Sequence, residues 1–378
     1  MKTVSVSRVM ILGGYGNFGK RIAEALSNIT DITLLIAGRN PIKANELCNA
    51  LNQQPADCVP AEIDIYQDDF ANQLLSLHVD LVIHTGGPFQ GQDYRVPEAC
   101  IKAGSHYIDL ADDRRFVCDI GSLSKSAKEK GVLVVSGASS VPGLSSVVID
   151  QCAARFKQLD VIDFAIAPGN KAERGEATIR GILSYTGHPF PIYQQGRWIN
   201  TYGWMSPRRL NFGSSVGKRW LADIDIPDLE LFPERYPSVQ SVNFQAGLEL
   251  PLLHLGMVGM AAVTRFKLIK NWSKWTPLIY RSSEWFKYFG TDIGGMLIRL
   301  TGKAQDGKPL SLKWLLTAEN GIGPYIPTLS TIILAKKIIA GEITQTGATP
   351  CLGMYSLKEF DREASPLGIF HHLEEHYG

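Results

Sequence analysis

The sequence predicts an α/β region with a doubly wound parallel sheet, followed by an α+β region with a mostly antiparallel sheet. Three observations support this. Short apolar runs alternate with helical periodicity about six times before residue 140. The alternation stops after Pro142-Gly143, and a hairpin pattern later surrounds Asp306-Gly307. With 378 residues, 45% of them hydrophobic, the chain has room for two domains. The predicted divisions are a first domain at 1–140, a second at 141–325, and a C-terminal helix and tail at 326–378 that packs back on the first.

Composition argues against several classes of protein. Lys+Arg total 38 and Asp+Glu total 37, so the net charge of +1 offers no basic excess for nucleic acid. The six cysteines include no C-x-x-C pair, which favours a reducing, cytoplasmic location over a disulfide scaffold. The N-terminal apolar run at 9–12 is too short for a signal peptide, and no stretch reaches the ~20 apolar residues of a transmembrane segment.

The first strand, turn and helix carry the strongest functional pattern. Arg8–Leu12 predicts a buried parallel strand, a glycine-rich turn and helical periodicity follow, and a second strand is predicted at 30–37. Gly14 would permit the tight turn, Gly16 the close approach of a pyrophosphate, and Gly19 the packing of helix on strand. The alternative is a glycine-rich turn that binds no dinucleotide. The predicted cofactor-binding residues of this turn are Gly14, Tyr15, Gly16, Asn17, Phe18 and Gly19.

The end of the second predicted strand indicates which dinucleotide binds. NAD sites usually place Asp or Glu about 20 residues beyond the glycines, where it binds the ribose 2′-hydroxyl. Here Arg39 holds that place, and a guanidinium can bind a 2′-phosphate through charge-assisted hydrogen bonds. We therefore predict NADP, with NAD as the alternative. The competing interpretation of Arg39 is a solvated side chain that stacks on the adenine.

The alternation continues to the end of the first domain. The predicted elements are a helix at 41–51, a strand at 59–65, a helix at 69–77, a strand at 79–85, a helix at 96–103, a strand at 105–110, a helix at 122–130 and a strand at 132–136. Such a Rossmann arrangement binds ligands beyond the carboxyl ends of its strands. We therefore expect Asp64 to accept a hydrogen bond from the adenine edge. The turn Thr85-Gly86-Gly87-Pro88 should form a rigid wall of the cofactor site.

The second half follows a different pattern. The predicted elements are a helix at 144–156, a strand at 159–167, a helix at 173–185, a strand at 261–269, a hairpin at 296–319 and a helix at 326–343. Residues 186–250 are rich in aromatic residues, proline and glycine, which predicts long loops and edge strands. The cleft between the two domains is the predicted active site.

These stretches resemble the saccharopine dehydrogenase-like family of NADP-binding oxidoreductases, in particular its bacterial branch. The resemblance rests on GGYGNFG at 13–19, AGR at 37–39, HTGGPFQGQDYRVPEACIKAGSHYIDLADD at 84–113, SGASSVPGLSS at 136–146, and DGKPLSLKWLLTAENGIGPYIPTLSTIILAKKIIAGEI at 306–343. It implies hydride transfer to or from an imine or secondary amine (CH–NH) of an amino-acid-like substrate, within amino-acid metabolism. Val141 stands where saccharopine-forming reductases tend to carry a carboxylate, and His84 where relatives often have Asn. The resemblance therefore does not identify saccharopine itself as the substrate.

Candidate acid–base residues lie at predicted strand ends. None of the thirteen tyrosines is followed four residues later by lysine, which excludes the tyrosine–lysine mechanism of short-chain dehydrogenases. His84 has the right titration range for proton transfer, and its alternative is a buried core histidine. Asp109 lies in the fifth strand, and its alternative is a helix-capping or buried hydrogen-bonding role. Tyr107 alternates with Ile108 in the same strand, so one of the two side chains should face the cofactor side. Asp112 and Asp113 begin the following loop, with solvated carboxylates as the alternative.

The substrate class implied by the family calls for carboxylate clamps. Arg180 in the second domain is the predicted clamp, and Arg208 and Arg209 are further candidates. Two adjacent arginines in a polar loop are otherwise typical of a solvated face.

The C-terminal HHLEEH contains H-x-x-E-H, an inverted zinc-protease motif. On a helix, His372 and His376 would share a face. No third ligand is apparent, so we predict no metal and treat a metalloprotease as a third function class.

The sequence thus predicts an NADP-dependent oxidoreductase acting on a small amino-acid-like molecule. The alternative is a sensor or scaffold that binds NADP(H) without turnover, because no acid–base pair is obvious. Neither a nucleic acid partner nor a transmembrane segment is expected, and a homodimer is left open.

Overall fold

The structure is a computed structural model that describes residues 7–67 and 69–377. The expectation that the N-terminus carries no signal peptide falls partly on residues 1–6, outside the described residues. The strands are β1 Arg8–Leu12, β2 Thr33–Gly38, β3 Asp57–Glu62, β4 Leu81–His84, β5 His106–Asp109, β6 Leu133–Ser136, β7 Phe156–Ala167, β8 Pro189–Gln194, β9 Arg197–Tyr202, β10 Arg208–Asn211, β11 Lys218–Asp223, β12 Ser241–Ala246, β13 Gly294–Ala304, β14 Pro309–Ala318, β15 Gly347–Pro350 and β16 Phe370–Tyr377. The α-helices are α1 Asn17–Leu26, α2 Pro41–Ala50, α3 Phe70–Ser76, α4 Arg95–Ala103, α5 Arg114–Cys118, α6 Ser124–Lys130, α7 Ser145–Ala153, α8 Glu176–Tyr185, α9 Asp228–Arg235, α10 Pro251–Arg265, α11 Thr276–Glu284, α12 Ile326–Ile339 and α13 Leu357–Ala364.

The chain forms two compact units, and both are discontinuous in sequence. The first runs to Leu144 and includes Tyr325–Tyr355. The second consists of Ser145–Pro324 and the residues from Ser356 onward.

The first unit is built on a seven-stranded parallel sheet in the order β3-β2-β1-β4-β5-β6-β15. Its first six strands have the order of a doubly wound dinucleotide-binding sheet, in which the strand order reverses between β1 and β4. Every residue of β4 and β6 is buried, as expected where helices cover both faces of a parallel sheet. The predicted doubly wound sheet is confirmed. The seventh strand, β15, is missing from the sequence prediction.

The second unit is built on a nine-stranded sheet whose main path is β10-β11-β12-β7-β13-β14-β16, with β8 joining β12 to β9. Within the described residues every pairing is antiparallel except that of β7 with β12. The predicted mostly antiparallel sheet is therefore confirmed. β13 and β14 form the predicted hairpin, and its turn holds Gly307 at a φ of +86°, which favours glycine.

The strand predicted at 261–269 is wrong, because this segment is the end of α10 and the loop after it. The buried residues of α10 are His254, Met257, Ala261 and Thr264. Their spacing of three, four and three residues matches one face of a helix. The prediction began at Ala261 and therefore missed the first half of this pattern.

The prediction that all of 326–378 packs on the first unit does not hold beyond residue 355. Strand β16 pairs with β14 along its whole length, from Phe370 opposite Thr317 to Tyr377 opposite Leu310. These backbone hydrogen bonds make the tail an edge strand of the second sheet.

Among the described residues, no helix is both long and apolar enough to cross a bilayer.

Candidate functional site

The glycine turn connects β1 to α1 at the carboxyl end of the parallel sheet. Gly13 has a φ of +75°, so the left-handed position is Gly13 and not Gly14, to which the sequence analysis gave the tight turn. A Cβ on Gly19 would lie 2.3 Å from the Gly13 carbonyl oxygen and 2.7 Å from Gly14 Cα. A Cβ on Gly16 would approach the same oxygen to 3.0 Å. Glycine at position 19 therefore allows the helix to lie close against the turn.

Helix α1 presents an open N-terminus. Its N-cap, Gly16, has no side chain that could accept a hydrogen bond, and its first turn contains no acidic residue. The backbone N–H groups of a first turn, with the positive end of the helix dipole, attract phosphate. Burial of Ile22, Ala23 and Leu26 fixes the helix in the first unit. The turn and the helix can therefore hold a pyrophosphate.

Arg39 follows β2, is exposed, and forms no ion pair within the part of the chain that the structure describes. The backbone on both sides of it is fixed. Tyr15 Oη accepts a hydrogen bond from the Asn40 N–H at 3.0 Å, and the Tyr15 ring lies where it would be 2.5–2.8 Å from a Cβ on Gly38. Asn40 in turn caps α2 by accepting from the Lys43 N–H at 3.1 Å. The guanidinium is thus free to bind an anion from a rigid base.

Asp64, the predicted adenine contact, lies two residues beyond the end of β3 at Glu62. The residue is half-buried, and its Oδ1 accepts a hydrogen bond from the Tyr66 N–H at 3.1 Å. This bond stabilises the turn after β3. A contact between Asp64 and adenine remains a prediction.

The turn after β4 meets the glycine turn between β1 and β4, where the strand order of the sheet reverses. Leu12 and His84, the last residues of β1 and β4, lie opposite each other in register. Thr85 Oγ1 donates to the carbonyl of Leu12 at 2.8 Å and lies 3.1 Å from the carbonyl oxygen of Gly13. The Thr85 side chain therefore connects the two turns on which a dinucleotide would rest.

The Gly-Gly-Pro turn itself is held by the side chain of Gln92, which is not among the site residues predicted from the sequence. Gln92 Nε2 donates to the carbonyls of Gly86 at 3.0 Å and Pro88 at 2.8 Å. The Gly87–Pro88 peptide is cis. A polar side chain four residues after the proline was the available signal, but one amide in a loop is too common a feature to single out.

Three of the predicted catalytic residues form one buried polar chain behind this turn. His84 Nδ1 lies 3.1 Å from the Tyr107 hydroxyl, and His84 Nε2 would be 3.1 Å from a Cβ on Gly86. Asp109 lies opposite His84 in register, at the end of β5. His84 is 1% exposed, and Tyr107 and Asp109 are 0% exposed. The structure therefore brings the three together but does not present them to a substrate.

Asp109 accepts the most hydrogen bonds of the three residues in this buried polar chain. Its Oδ1 accepts from the Gly137 N–H at 2.8 Å, the Ala111 N–H at 2.9 Å and the Ser136 hydroxyl at 3.0 Å. Asp109 thereby joins the ends of β5 and β6. Ser136 is not among the site residues predicted from the sequence, and its signal is a polar residue at the carboxyl end of an apolar strand.

Burial has the largest effect on the pKa values of His84, Tyr107 and Asp109. It lowers the pKa of His84 to about 4, so the imidazole is neutral near pH 7. It raises the pKa of Asp109 to about 6, against the opposing effect of the hydrogen bonds from Gly137, Ala111, Ser136 and Tyr107. Burial and the Asp109 charge raise the pKa of Tyr107 well above its usual value. At neutral pH the Tyr107 hydroxyl therefore donates to Asp109 and accepts from a neutral His84.

The two acidic residues after β5 have different roles. Asp112 is exposed, and its Oδ1 accepts from Gln90 Nε2 at 3.0 Å, which joins the loop after β5 to the loop after β4. Asp113 caps α5 by accepting from the Phe116 N–H at 2.9 Å. Of the predicted catalytic residues in this unit, Asp112 is the one open to solvent.

Comparison with known proteins identifies the first unit. Residues 9–135 match the family model described as "Saccharopine dehydrogenase NADP binding domain". The unit contains a saccharopine dehydrogenase NADP-binding domain. The predicted resemblance and the predicted cofactor, NADP, are thereby confirmed for this domain. A search of curated protein sequences finds no match to the chain.

Solved structures extend the likeness in fold beyond the NADP-binding domain. Apo histidine-tagged saccharopine dehydrogenase (L-Glu forming) from Saccharomyces cerevisiae matches with a TM-score of 0.68 at 14% identity, over 98% of this chain and 100% of that one. An amine dehydrogenase from Mycobacterium smegmatis matches with a TM-score of 0.46 at 11% identity, over 93% of this chain and 96% of that one. The first match shows a shared fold for both units.

The predicted carboxylate clamps lie outside the NADP-binding domain, in the second unit. Arg180 on α8 is half exposed and pairs with Glu176 one turn earlier at 2.8 Å. Arg208 forms an ion pair with Asp163 and a hydrogen bond with Gln245, so it holds β10 to the sheet. Arg209 lies over the ring of Trp220 at 5.6 Å. Of the three, Arg180 is the one whose partner is an exposed surface carboxylate.

The C-terminal histidines lie on a strand and not on the helix that the zinc hypothesis requires. His371 pairs with Asp361 at 2.8 Å, and His372 with Glu374 at 3.3 Å. His372 and His376 are four residues apart on β16, which separates them by about 13 Å at a strand's rise per residue. One zinc ion with ligands at about 2 Å cannot bridge that distance. The described residues contain no cluster of three metal-ligating side chains.

Proposed function

We propose that this protein is an NADP-dependent oxidoreductase that transfers a hydride to or from the CH–NH group of an amino-acid-like substrate. The observation that carries the proposal is the exposed Arg39 just after β2, which has no ion pair among the described residues and lies in the same unit as the uncapped N-terminus of α1. This combination suits a dinucleotide with an additional phosphate. The substrate class rests on the resemblance to saccharopine dehydrogenases and on the shared fold.

The residues present fit NADP at each of its charged groups. The glycine turn and the first turn of α1 would hold the pyrophosphate, where Gly16 has no Cβ to hinder it. Arg39 would bind the 2′-phosphate, and the turn Thr85-Gly86-Gly87-Pro88 would line the nicotinamide end. When bound, the cofactor supplies or accepts the hydride.

The chain's own contribution is to orient the cofactor and to handle a proton. Thr85 and Gln92 fix the turn after β4, and the buried polar chain of His84, Tyr107 and Asp109 supports that turn from behind. We infer that these three are positioning residues. Asp112, open to solvent in the loop after β5, is the remaining candidate for proton transfer in this unit. Arg180 is the candidate for binding a substrate carboxylate.

The second candidate function is a sensor or scaffold that binds NADP(H) without turnover. The observation that favours it is the burial of His84, Tyr107 and Asp109, which leaves Asp112 as the one exposed carboxylate among the predicted acid–base residues. The two functions share the cofactor site and differ in whether the cofactor is consumed.

Titration of the purified chain with NADPH, NADP⁺, NADH and NAD⁺, followed by a turnover screen, tests both. The screen pairs 2-keto acids with amino acids and follows NADPH absorbance. Selective NADPH binding with consumption in at least one pair supports the oxidoreductase. Selective binding without consumption across the screen favours the sensor. No binding of any dinucleotide contradicts both.

A further inference from the structure

The second unit exposes an apolar segment, residues 251–289, that the proposed function does not use. Seventeen large apolar or aromatic side chains are exposed within the described residues, and nine of them lie in this segment. They are Leu252, Leu255, Phe266, Leu268, Trp275, Leu278, Trp285, Tyr288 and Phe289. Single exposed apolar residues are normal on a protein surface, but a concentration of them marks a binding surface.

Helix α10 shows the pattern most clearly. Its exposed positions before Arg265 form one stripe at helical spacing: Pro251, Leu252, Leu255, Gly256 and Gly259. No charged residue occurs between Pro251 and Thr264, so the helix is apolar on its outer as well as its inner face. A helix that is apolar all round is expected to be covered by another surface.

The same segment concentrates positive charge. Its cations, all exposed, are Arg265, Lys267, Lys270, Lys274, Arg281 and Lys287. Its acidic residue is Glu284, which pairs with Lys287 at 2.6 Å. The segment therefore has a net charge of +5, whereas the whole chain has +1 and the remainder is acidic by 4. Its binding partner should be anionic.

Side-chain hydrogen bonds hold this segment in place with its apolar side chains outward. The Trp272 indole N–H donates to Thr264 Oγ1 at 2.8 Å, which fixes the loop after α10 against the helix. Asn170 Nδ2 donates to the carbonyls of Phe286 at 2.7 Å and Phe289 at 3.0 Å, which fixes the turn after α11. The rings of Trp285, Tyr288 and Phe289 are nevertheless 60–88% exposed. The exposure belongs to an ordered surface.

We propose that residues 251–289 bind the surface of an anionic lipid bilayer, with the protein lying on the membrane. Leucine, tryptophan and phenylalanine insert at the boundary between headgroups and acyl chains, while lysine and arginine reach the anionic headgroups. A second copy of this chain fits less well, because a symmetric contact through this surface would bring two +5 segments together. The 15-residue α10 would lie in the interface plane.

Vesicle flotation of the full chain tests this. We expect binding to phosphatidylcholine vesicles that contain about one quarter phosphatidylglycerol, and no binding to pure phosphatidylcholine. Raising the salt from ~0.05 M to ~0.5 M should weaken binding, because exposed charges are screened. The triple variant Lys267→Gln, Lys270→Gln, Lys274→Gln should bind roughly a hundredfold more weakly, at about fivefold per cation.

Two control variants make the test specific. Lys102→Gln, Lys125→Gln, Lys130→Gln removes three exposed cations from the first unit and should retain vesicle binding. Trp285→Ser with Leu278→Ser should weaken binding while leaving NADPH titration unchanged.

Three outcomes overturn the proposal. One is no binding to anionic vesicles at low salt, and another is equal loss in both lysine triples. The third is a dimer by sedimentation that Trp285→Ser with Leu278→Ser dissociates, with no vesicle binding.

Discussion

Arg39 has a fixed backbone and a free side chain, and this combination makes it the residue with the clearest functional consequence. Tyr15 over Gly38 and the Asn40 cap of α2 hold the chain on either side of it. Replacing it should therefore change what binds at the end of β2 without disturbing how β2 folds. An acidic residue at position 39 would instead bind a ribose hydroxyl and repel a phosphate.

Arg39→Asp should weaken NADPH binding by about 1.5–3 kcal/mol, the range for a lost charged hydrogen bond, and shift preference toward NADH. That is roughly a 10- to 150-fold rise in Kd, measurable by calorimetry. Lys102→Asp makes the same charge change at an exposed position of the first unit and should leave both affinities as they are. Unchanged NADPH affinity in Arg39→Asp would contradict the 2′-phosphate assignment.

His84 and Asp109 should make opposite contributions to the pH dependence of stability. Burial raises the pKa of Asp109 from its usual 3.8 to about 6 in the folded chain, so its stabilising contribution is complete below pH 3.8 and lost as pH rises through 6. Burial lowers the pKa of His84 from its usual 6.5 to about 4 in the folded chain, so its contribution is present above pH 6.5 and lost as pH falls through 4. Each amounts to at most about 3 kcal/mol, and the two partly cancel between pH 4 and 6.

Single substitutions should expose these slopes in thermal unfolding between pH 4.5 and 7.5. In Asp109→Asn the midpoint should fall more steeply on acidification than in the unmodified chain, because the His84 contribution is unopposed. In His84→Asn the midpoint should instead fall as pH rises toward 6. His78→Asn, at an exposed histidine with a φ of 51°, is the matched control and should preserve the original profile. Parallel profiles in all variants would disprove the shifted pKa values of buried His84 and Asp109.

At the scale of elements, the glycine turn and α1 form one rigid piece whose geometry tolerates no side chain at Gly19. Gly19→Ala would place a Cβ 2.3 Å from the Gly13 carbonyl oxygen, so the helix must move. We expect a loss of about 1–3 kcal/mol in stability, the usual range for overpacking, and a loss of NADPH binding. Gly121→Ala, where no atom lies within 4 Å of the new Cβ, should change neither. Differential scanning fluorimetry and NADPH titration measure both effects.

The elements that the sequence analysis predicted well are those whose pattern is complete within a short window. Strand β1, the glycine turn and α1 lie within 20 residues, and the hairpin of β13 and β14 is set by the turn at Asp306-Gly307. Helix α10 was not predicted, because the helical spacing of its buried residues starts at His254, before the segment 261–269 that was interpreted as a strand. Strand β15 was not predicted, because its four residues carry no local pattern of their own. They form a strand by pairing with β6, more than 200 positions earlier.

The site was predicted in the same way, well where the chemistry is local and poorly where it is assembled. Arg39 and the glycines follow from spacing along the chain. The chain of His84, Tyr107 and Asp109 needed the register of β4 against β5, which placed these side chains together and buried them. Ser136 and Gln92 complete the arrangement from other elements, and neither residue has a neighbour in sequence that reveals its partner.

At the scale of the whole molecule, both units are closed by segments from later in the chain. The first takes β15 as its edge strand, and the second takes β16. Strand β16 covers Trp314, a side chain that is 2% exposed and whose ring lies 5.2 Å from that of His371. The C-terminal HHLEEH is therefore part of the second unit's fold, and its histidines contribute as strand residues.

Deleting residues 370–378 should lower the unfolding midpoint of the second unit and promote aggregation, because it opens the edge of β14 and exposes Trp314. Loss of the tryptophan's burial alone is expected to cost about 1.5–3 kcal/mol. The double variant His372→Ala, His376→Ala keeps the strand and removes both ends of the H-x-x-E-H motif, so its midpoint should stay within about 1 °C of the original. NADPH affinity should persist in both, since no deleted residue belongs to the first unit. An intact midpoint after the deletion would show that the strand is dispensable, and a large loss in the double variant would show that the histidine side chains matter beyond their place in the strand.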